Sequence, residues 1–170
     1  AGIPELRRAV AERSRAQNGI PCAPANVIIT PAKQAIFMGM LSLVDEGDEV
    51  ILPDPCWGTY EACVRLAGGV PRYVSSQSGT EFRMTPEAVA EAIGPKTRMI
   101  VLNTPCNPTG AVMNREEIRG IADLAKDHDL MVLSDEVYER IIFEGEHTSI
   151  ASLDGMFDRT ITVNGVSKSY

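Results

Sequence analysis

No stretch of the 170 residues approaches the ~20 consecutive apolar positions of a membrane-crossing helix, so no membrane partner is expected. The start, Ala1-Gly2-Ile3-Pro4, has no apolar core and runs directly into the charged Pro4-Glu5-Leu6-Arg7-Arg8; no signal peptide is expected there. Cysteine is scarce and unpatterned. Cys22, Cys56, Cys63 and Cys106 form no Cys-x-x-Cys pair, which suggests neither a zinc site nor a redox motif and fits reduced thiols in a cytoplasmic protein. Basic charge is in deficit, with 16 Lys and Arg against 23 Asp and Glu, and the net charge of -7 argues against nucleic acid or an anionic lipid surface as partner. There is no internal repeat, low-complexity tract or linker, so residues 1–170 read as one domain.

What the chain does have is apolar material, 44% of its residues, enough at this length for a substantial core. Pro4 to Gln17 reads as a surface helix with Pro4 in its first turn, ended by Asn18-Gly19. Val27 to Thr30 reads as a short buried strand and Ala32 to Leu43 as an apolar helix. Strands are then predicted at Glu49–Leu52, Arg72–Val74, Met99–Leu102, Leu130–Leu133 and Thr160–Val163. Between them fall helices at Thr59–Leu66, Pro86–Ile93 and Arg115–His128, with a helical turn at Glu136–Ile141. Thr85 before Pro86, and Asn114 three residues before Glu117, support two of the helix starts. Such alternation predicts an α/β fold of three layers, a mainly parallel sheet with helices on both faces.

The last strand leads into Asn164-Gly165-Val166-Ser167-Lys168, a turn that presents one lysine just past a strand end, where α/β sheets place their chemistry. Taken alone, Lys168 could equally be a solvated surface charge. Two further stretches give it company: Asn107-Pro108-Thr109-Gly110, and Ser134-Asp135-Glu136-Val137-Tyr138. Asp135 ends an apolar run, where a partly buried carboxylate is costly without a cation, although it could also cap the turn at Glu136. Tyr138, three residues on, shares a face with Asp135 if that turn is helical, and could otherwise be a core aromatic. Asn107 alone reads as an Asn-Pro turn residue. Trp57, the only tryptophan, occupies a strand-to-helix corner in Pro53-Asp54-Pro55-Cys56-Trp57. The helix start at Ala32-Lys33-Gln34 offers free N–H groups to an anion, with Lys33 readable as a solvated first-turn charge. His128 and His147 read as surface residues.

Five segments in this order, Ala1 to Arg7, Gly47-Asp48-Glu49-Val50, the Asn-Pro-Thr-Gly turn, the Asp-Glu-x-Tyr segment and Ser167-Lys168, resemble the fold-type I pyridoxal-phosphate enzymes. The likeness is to the class I/II aminotransferases related to aspartate aminotransferase, and it runs over essentially the whole chain. It implies pyridoxal 5'-phosphate as cofactor, amino acid and 2-oxo acid substrates, and a homodimeric parent enzyme. It also implies roles: Lys168 for the cofactor aldehyde and for proton transfer at the substrate's α carbon, Asp135 for the protonated ring nitrogen, Tyr138 and Asn107 for the phenolic oxygen. Trp57 would lie on the ring face, and Ala32 and Lys33 would hold the phosphate. Two positions depart from the pattern. Pro31-Ala32 stands where relatives carry a longer glycine-containing turn, and Gly165 where some carry a phosphate-binding serine.

The resemblance further implies that 1–170 is part of a large domain. The substrate-clamping arginine, a second phosphate-binding arginine and the C-terminal small domain would lie outside it, and the isolated chain is expected to be inactive. A lyase or synthase of the same fold, or an aminotransferase-like effector domain of a transcription regulator, would share these platform residues.

Overall fold

The computed structural model describes residues 1–76, 79 and 81–168; Ser169 and Tyr170, which follow the lysine, lie outside the described residues. Five parallel strands form one sheet: β1 (Glu49–Asp54), β2 (Val70–Ser75), β3 (Thr97–Asn103), β4 (Met131–Asp135) and β5 (Thr160–Val163), in the order β2-β1-β3-β4-β5. Among the described residues five α-helices accompany them: α1 (Pro4–Asn18), α2 (Ala32–Leu43), α3 (Thr59–Leu66), α4 (Pro86–Ala92) and α5 (Arg115–Asp127). The three-layer expectation holds, and the period of two along each strand explains how. Val50, Leu52, Met99, Val101, Leu133 and Val163 pack on one face with Ile36 and Met40 of α2 and Tyr60 and Val64 of α3. The intervening Ile51, Ile100, Leu102 and Val132 face the other side, against Val89 of α4 and Ile118, Ile121 and Ala125 of α5. Strands apolar on both faces are what a helix-covered parallel sheet requires.

The helix ends obey local chemistry. α1 stops at Gly19, whose φ of 68° is left-handed and whose N–H reaches Ser14 O. Asn114 caps α5 by accepting from the N–H groups of Glu116 and Glu117, and the Glu117 side chain accepts from the Asn114 N–H. Asn114→Ala is expected to lower stability by about 1 kcal/mol, read as a shift of the urea midpoint with unchanged slope.

The strand expected at Val27–Thr30 does not form. A 3-10 turn occupies Pro24–Asn26, and Val27 after it is extended, but residues 27–30 pair with no strand among those described. Instead, the Arg7 Nε–H donates to Val27 O at 2.9 Å and the Ile29 N–H to Ala1 O at 3.2 Å. Val27 is buried with Ala11, Ile20, Cys22 and Ala151 in a third cluster beneath α1. The stretch expected as a helical turn, Glu136–Ile141, is a run of tight turns closed by Glu139 N–H to Glu136 O and Ile141 N–H to Tyr138 O.

Candidate active site

The carboxyl ends of β1, β3, β4 and β5 bring the candidate residues to one side of the sheet. Asp135 is the last residue of β4, paired in register with Asn103 at the end of β3 and with Val163 of β5. Its carboxylate is 3% exposed. The sequence led us to expect a cation beside it; among the described residues it has none. Oδ2 accepts from the Tyr60 hydroxyl at 2.6 Å, and Oδ1 accepts from the Val137 N–H at 3.3 Å. Asp135 therefore does cap the turn that follows, with one oxygen, while the other is held by a residue 75 positions away. Desolvation pushes its pKa above the ordinary carboxylate value, against the two hydrogen bonds, which pull it down. The same burial, with Asp135 opposite, holds the Tyr60 phenol firmly protonated.

Tyr60, buried in the first turn of α3, is a site residue that the sequence alone did not point to. Its ring stands edge-on to Trp57, centroids 5.6 Å apart and planes at 87°. Trp57 is half-buried at the corner between β1 and α3, and the Lys33 ammonium lies 5.3 Å from its ring centroid. Lys33 is thus engaged with the corner rather than merely solvated, a cation–π contact at an exposed site. Ala32 and Lys33 open α2 behind Pro31, which supplies no side-chain cap, and no acidic residue sits in that first turn. Its N–H groups are left to a ligand or solvent.

The turn carrying Asn107 closes on itself through Gly110 N–H to Cys106 O and Cys106 N–H to Ala111 O. The Asn107 main-chain N–H donates to Asn103 Oδ1 at 2.7 Å, and its side-chain amide has no partner among the described residues. Tyr138 is half-buried, and the exposed Lys168 ammonium lies 5.9 Å from its ring centroid.

Behind Asp135, Glu136 turns away into a second polar cluster. It is fully buried, accepting from Ser134 and Ser149 hydroxyls at 2.8 Å each, with His147 Nε2 3.0 Å from its other oxygen. His147, expected at the surface, is largely buried because Glu136 and Glu139 draw its ring inward. Glu139 pairs with Arg13 and accepts from Asn18, tying α1 to the strand end. Glu136, Glu139 and His147 have the make-up of a cation site, yet protein donors already serve both carboxylates, and we assign no metal to it.

Burial alone would raise the Glu139 pKa, but hydrogen bonds from Asn18, Arg13 and Asn164 outweigh it and hold the carboxyl below its ordinary range. A depressed folded-state value means stability that is present at neutral pH and lost as pH falls through and below the ordinary carboxylate range. Glu139→Gln is expected to lower stability at pH 7 and to flatten that acid limb, measured by urea unfolding across pH 3–7.

The likeness to known proteins extends over the whole chain. Residues 1–170 match the family described as aminotransferase class I and II. The chain is 45% identical to an aspartate aminotransferase of Pyrococcus abyssi, over 99% of this chain and 44% of that protein. It is 46% identical to aromatic-amino-acid aminotransferase 2 of Thermococcus litoralis, again over 99% and 44%. In three dimensions it overlays the crystal structure of an aromatic aminotransferase from Pyrococcus horikoshii with a TM-score of 0.97 and 45% identity, covering 99% of this chain and 46% of the other. An aspartate aminotransferase from Thermus thermophilus with maleate gives 0.96 and 44% identity, over 100% of this chain and 44% of that one. The chain thus spans less than half the length of the relatives it matches.

Proposed function

Because the chain belongs to the class I and II aminotransferase family, we propose that the longer protein it represents moves an amino group between an α-amino acid and a 2-oxo acid, using pyridoxal 5'-phosphate at the site just described. The observation that carries this is Asp135: a buried carboxylate at a strand end, held by two neutral donors and lacking a cation among the described residues. A protonated ring nitrogen is the partner it lacks. The uncapped start of α2 suits a phosphate dianion, and Lys168 stands beside Tyr138, so the residues present fit the group.

When bound, the cofactor supplies an aldehyde to take up the amino group and an electron-poor ring to stabilise the carbon being deprotonated. The protein's part divides among named side chains. Asp135 would accept a hydrogen bond from the ring nitrogen and keep it protonated. Tyr138 and Asn107 would donate to the phenolic oxygen, Trp57 would cover a ring face, and Ala32 and Lys33 would hold the phosphate with the first-turn N–H groups of α2. Lys168 would hold the aldehyde and would supply the base that takes and returns the proton at the substrate's α carbon.

The relatives found are named as aminotransferases, and those names lend no support to a lyase or to a regulator's effector domain. They are named for aspartate, aromatic amino acids and prephenate, which makes dicarboxylic and aromatic amino acids the donors to try first. We take residues 1–170 as part of a larger cofactor-binding domain in a cytoplasmic homodimer. The four free thiols and the exposed apolar side chains of Ile3, Leu66 and Phe143 support this reading. No described helix is long and apolar enough to cross a membrane.

The full-length protein, supplied with cofactor, a panel of amino acids and 2-oxoglutarate, is expected to release the matching 2-oxo acid at around 10 per second, detected by mass spectrometry. The 170-residue chain alone is expected to show no appreciable turnover. Absence of transfer by the full-length protein with every donor would overturn the assignment.

A further inference from the structure

We propose that Asn103 is a positioning residue that sets the gap between Asn107 and Asp135, and so the fit of one cofactor ring between its phenolic oxygen and its ring nitrogen. The proposal rests on the ring contacts assigned above to those two residues.

Asn103 closes β3, is 6% exposed, and lies directly opposite Asp135 in the parallel ladder. Where the ladder ends, main-chain groups lose their strand partners and must be satisfied otherwise. The Asn103 amide does this with both of its ends. Its Nδ2 donates to Asp135 O at 3.1 Å, and its Oδ1 accepts from the Asn107 N–H at 2.7 Å. The 106–111 turn is otherwise bonded within itself or, at Cys106 Sγ, loosely to Pro55 O at 4.0 Å. One buried amide therefore gauges the Asn107 turn against the end of β4.

Both bonds are made to main chain. The side chains of Asn107 and Asp135 stay available to a ligand, and side-chain changes such as Asn107→Ala and Asp135→Asn leave both donor and acceptor of these bonds in place. A rigid ring contacted on two of its atoms tolerates little error in that gap, since a misplacement of about 1 Å can cost on the order of a hundredfold. The position needs a donor and an acceptor on one short side chain, which asparagine provides. Aspartate keeps the acceptor but opposes the Asp135 carbonyl, and leucine matches the volume with neither group.

The test uses full-length protein and pyridoxal 5'-phosphate, with Asn103→Leu and Asn103→Asp. Measured are the cofactor dissociation constant, the visible circular dichroism of the bound cofactor, and a double-mutant cycle of Asn107→Ala with Asp135→Asn in each background. Expected is a roughly 10- to 100-fold weaker cofactor for Asn103→Leu, an altered dichroic band, and a non-additivity between positions 107 and 135 that disappears when Asn103 is replaced. A purely structural role would lower thermal stability and leave the band and the coupling unchanged. If Asn103→Leu does not fold, the near-isosteric Asn103→Asp decides by the same three readings. Binding within twofold of the parent, with band and coupling intact, overturns the proposal. If the single changes at 107 and 135 themselves leave cofactor affinity unchanged, the ring contacts are wrong and the positioning role falls with them. If those changes weaken binding while the Asn103 variants do not, only the positioning role is wrong.

Discussion

Lys168→Ala in the full-length protein is expected to abolish borohydride-trapped cofactor and to reduce amino transfer by about a hundred- to ten-thousand-fold or more. Lys168 lies past β5 in the turn that begins at Asn164, its ammonium next to the Tyr138 ring. On the role proposed for it, removing Lys168 takes away both the bond to the aldehyde and the base at the α carbon. The turn that carries it is held by other groups: the Gly165 N–H donates to Asn164 Oδ1 at 2.7 Å, and the Glu136 N–H donates to Val163 O at 2.8 Å. The alanine variant should therefore fold, and far-ultraviolet dichroism should match the parent. Reduction with borohydride and peptide mapping of the unaltered protein must place the label on Lys168; a label on Lys33, which the structure sets against Trp57, would displace the central assignment.

Asp135→Asn is expected to lose on the order of 3 kcal/mol or more of transition-state stabilisation, a hundredfold or greater in the half-reaction rate. A neutral amide cannot keep the ring nitrogen protonated, yet its oxygen can accept from the Val137 N–H while its Nδ2 donates to the Tyr60 hydroxyl oxygen, so both contacts that the carboxylate makes now can be kept, the second with its direction reversed. The same change should have the opposite effect on the cofactor-free protein. Burial raises the pKa of Asp135, so the folded state holds its proton more tightly than the unfolded state does. Stability conferred below the ordinary carboxylate range is then lost as pH rises through and above it. Asparagine at 135 removes that loss. Without cofactor the variant should be more stable than the parent at pH 7, and the two should converge toward pH 3, read from urea midpoints. Undiminished half-reaction rates in the variant would reduce Asp135 to a turn cap.

Local signals account for much of what can be read from the chain in advance. Helices Ala32–Leu43 and Thr59–Leu66 fall where periodicity places them, and Asn114 and Gly19 act as their chemistry dictates. Val27–Thr30 shows the limit. Its β-branched run has the local character of a strand, but a strand exists only by pairing, and this segment meets α1 instead. The site divides in the same way. Asp135, Asn107 and Lys168 sit in short motifs whose order carries information. Tyr60 and Asn103 act through contacts spanning 75 and 32 positions, which no local pattern encodes. The spacing of Tyr60 three residues after Trp57, one helical turn, is the only hint. His147 escapes a sequence reading because a lone histidine in a polar stretch looks solvated until the two buried glutamates that enclose it are known.

The buried carboxylate also bears on how long the protein would last in a cell. A ligand that binds only the folded chain adds stability with the logarithm of its concentration over its dissociation constant, about 2.7 kcal/mol at a hundred times that constant. At Asp135 part of that gain would be the relief of a charge left without a counter-ion among the described residues. Newly made protein that has not met the proposed cofactor would therefore be the weaker population, opening more often to proteases. Scarcity of the vitamin from which the cofactor is made would then lower the amount of this protein as well as the fraction that is loaded.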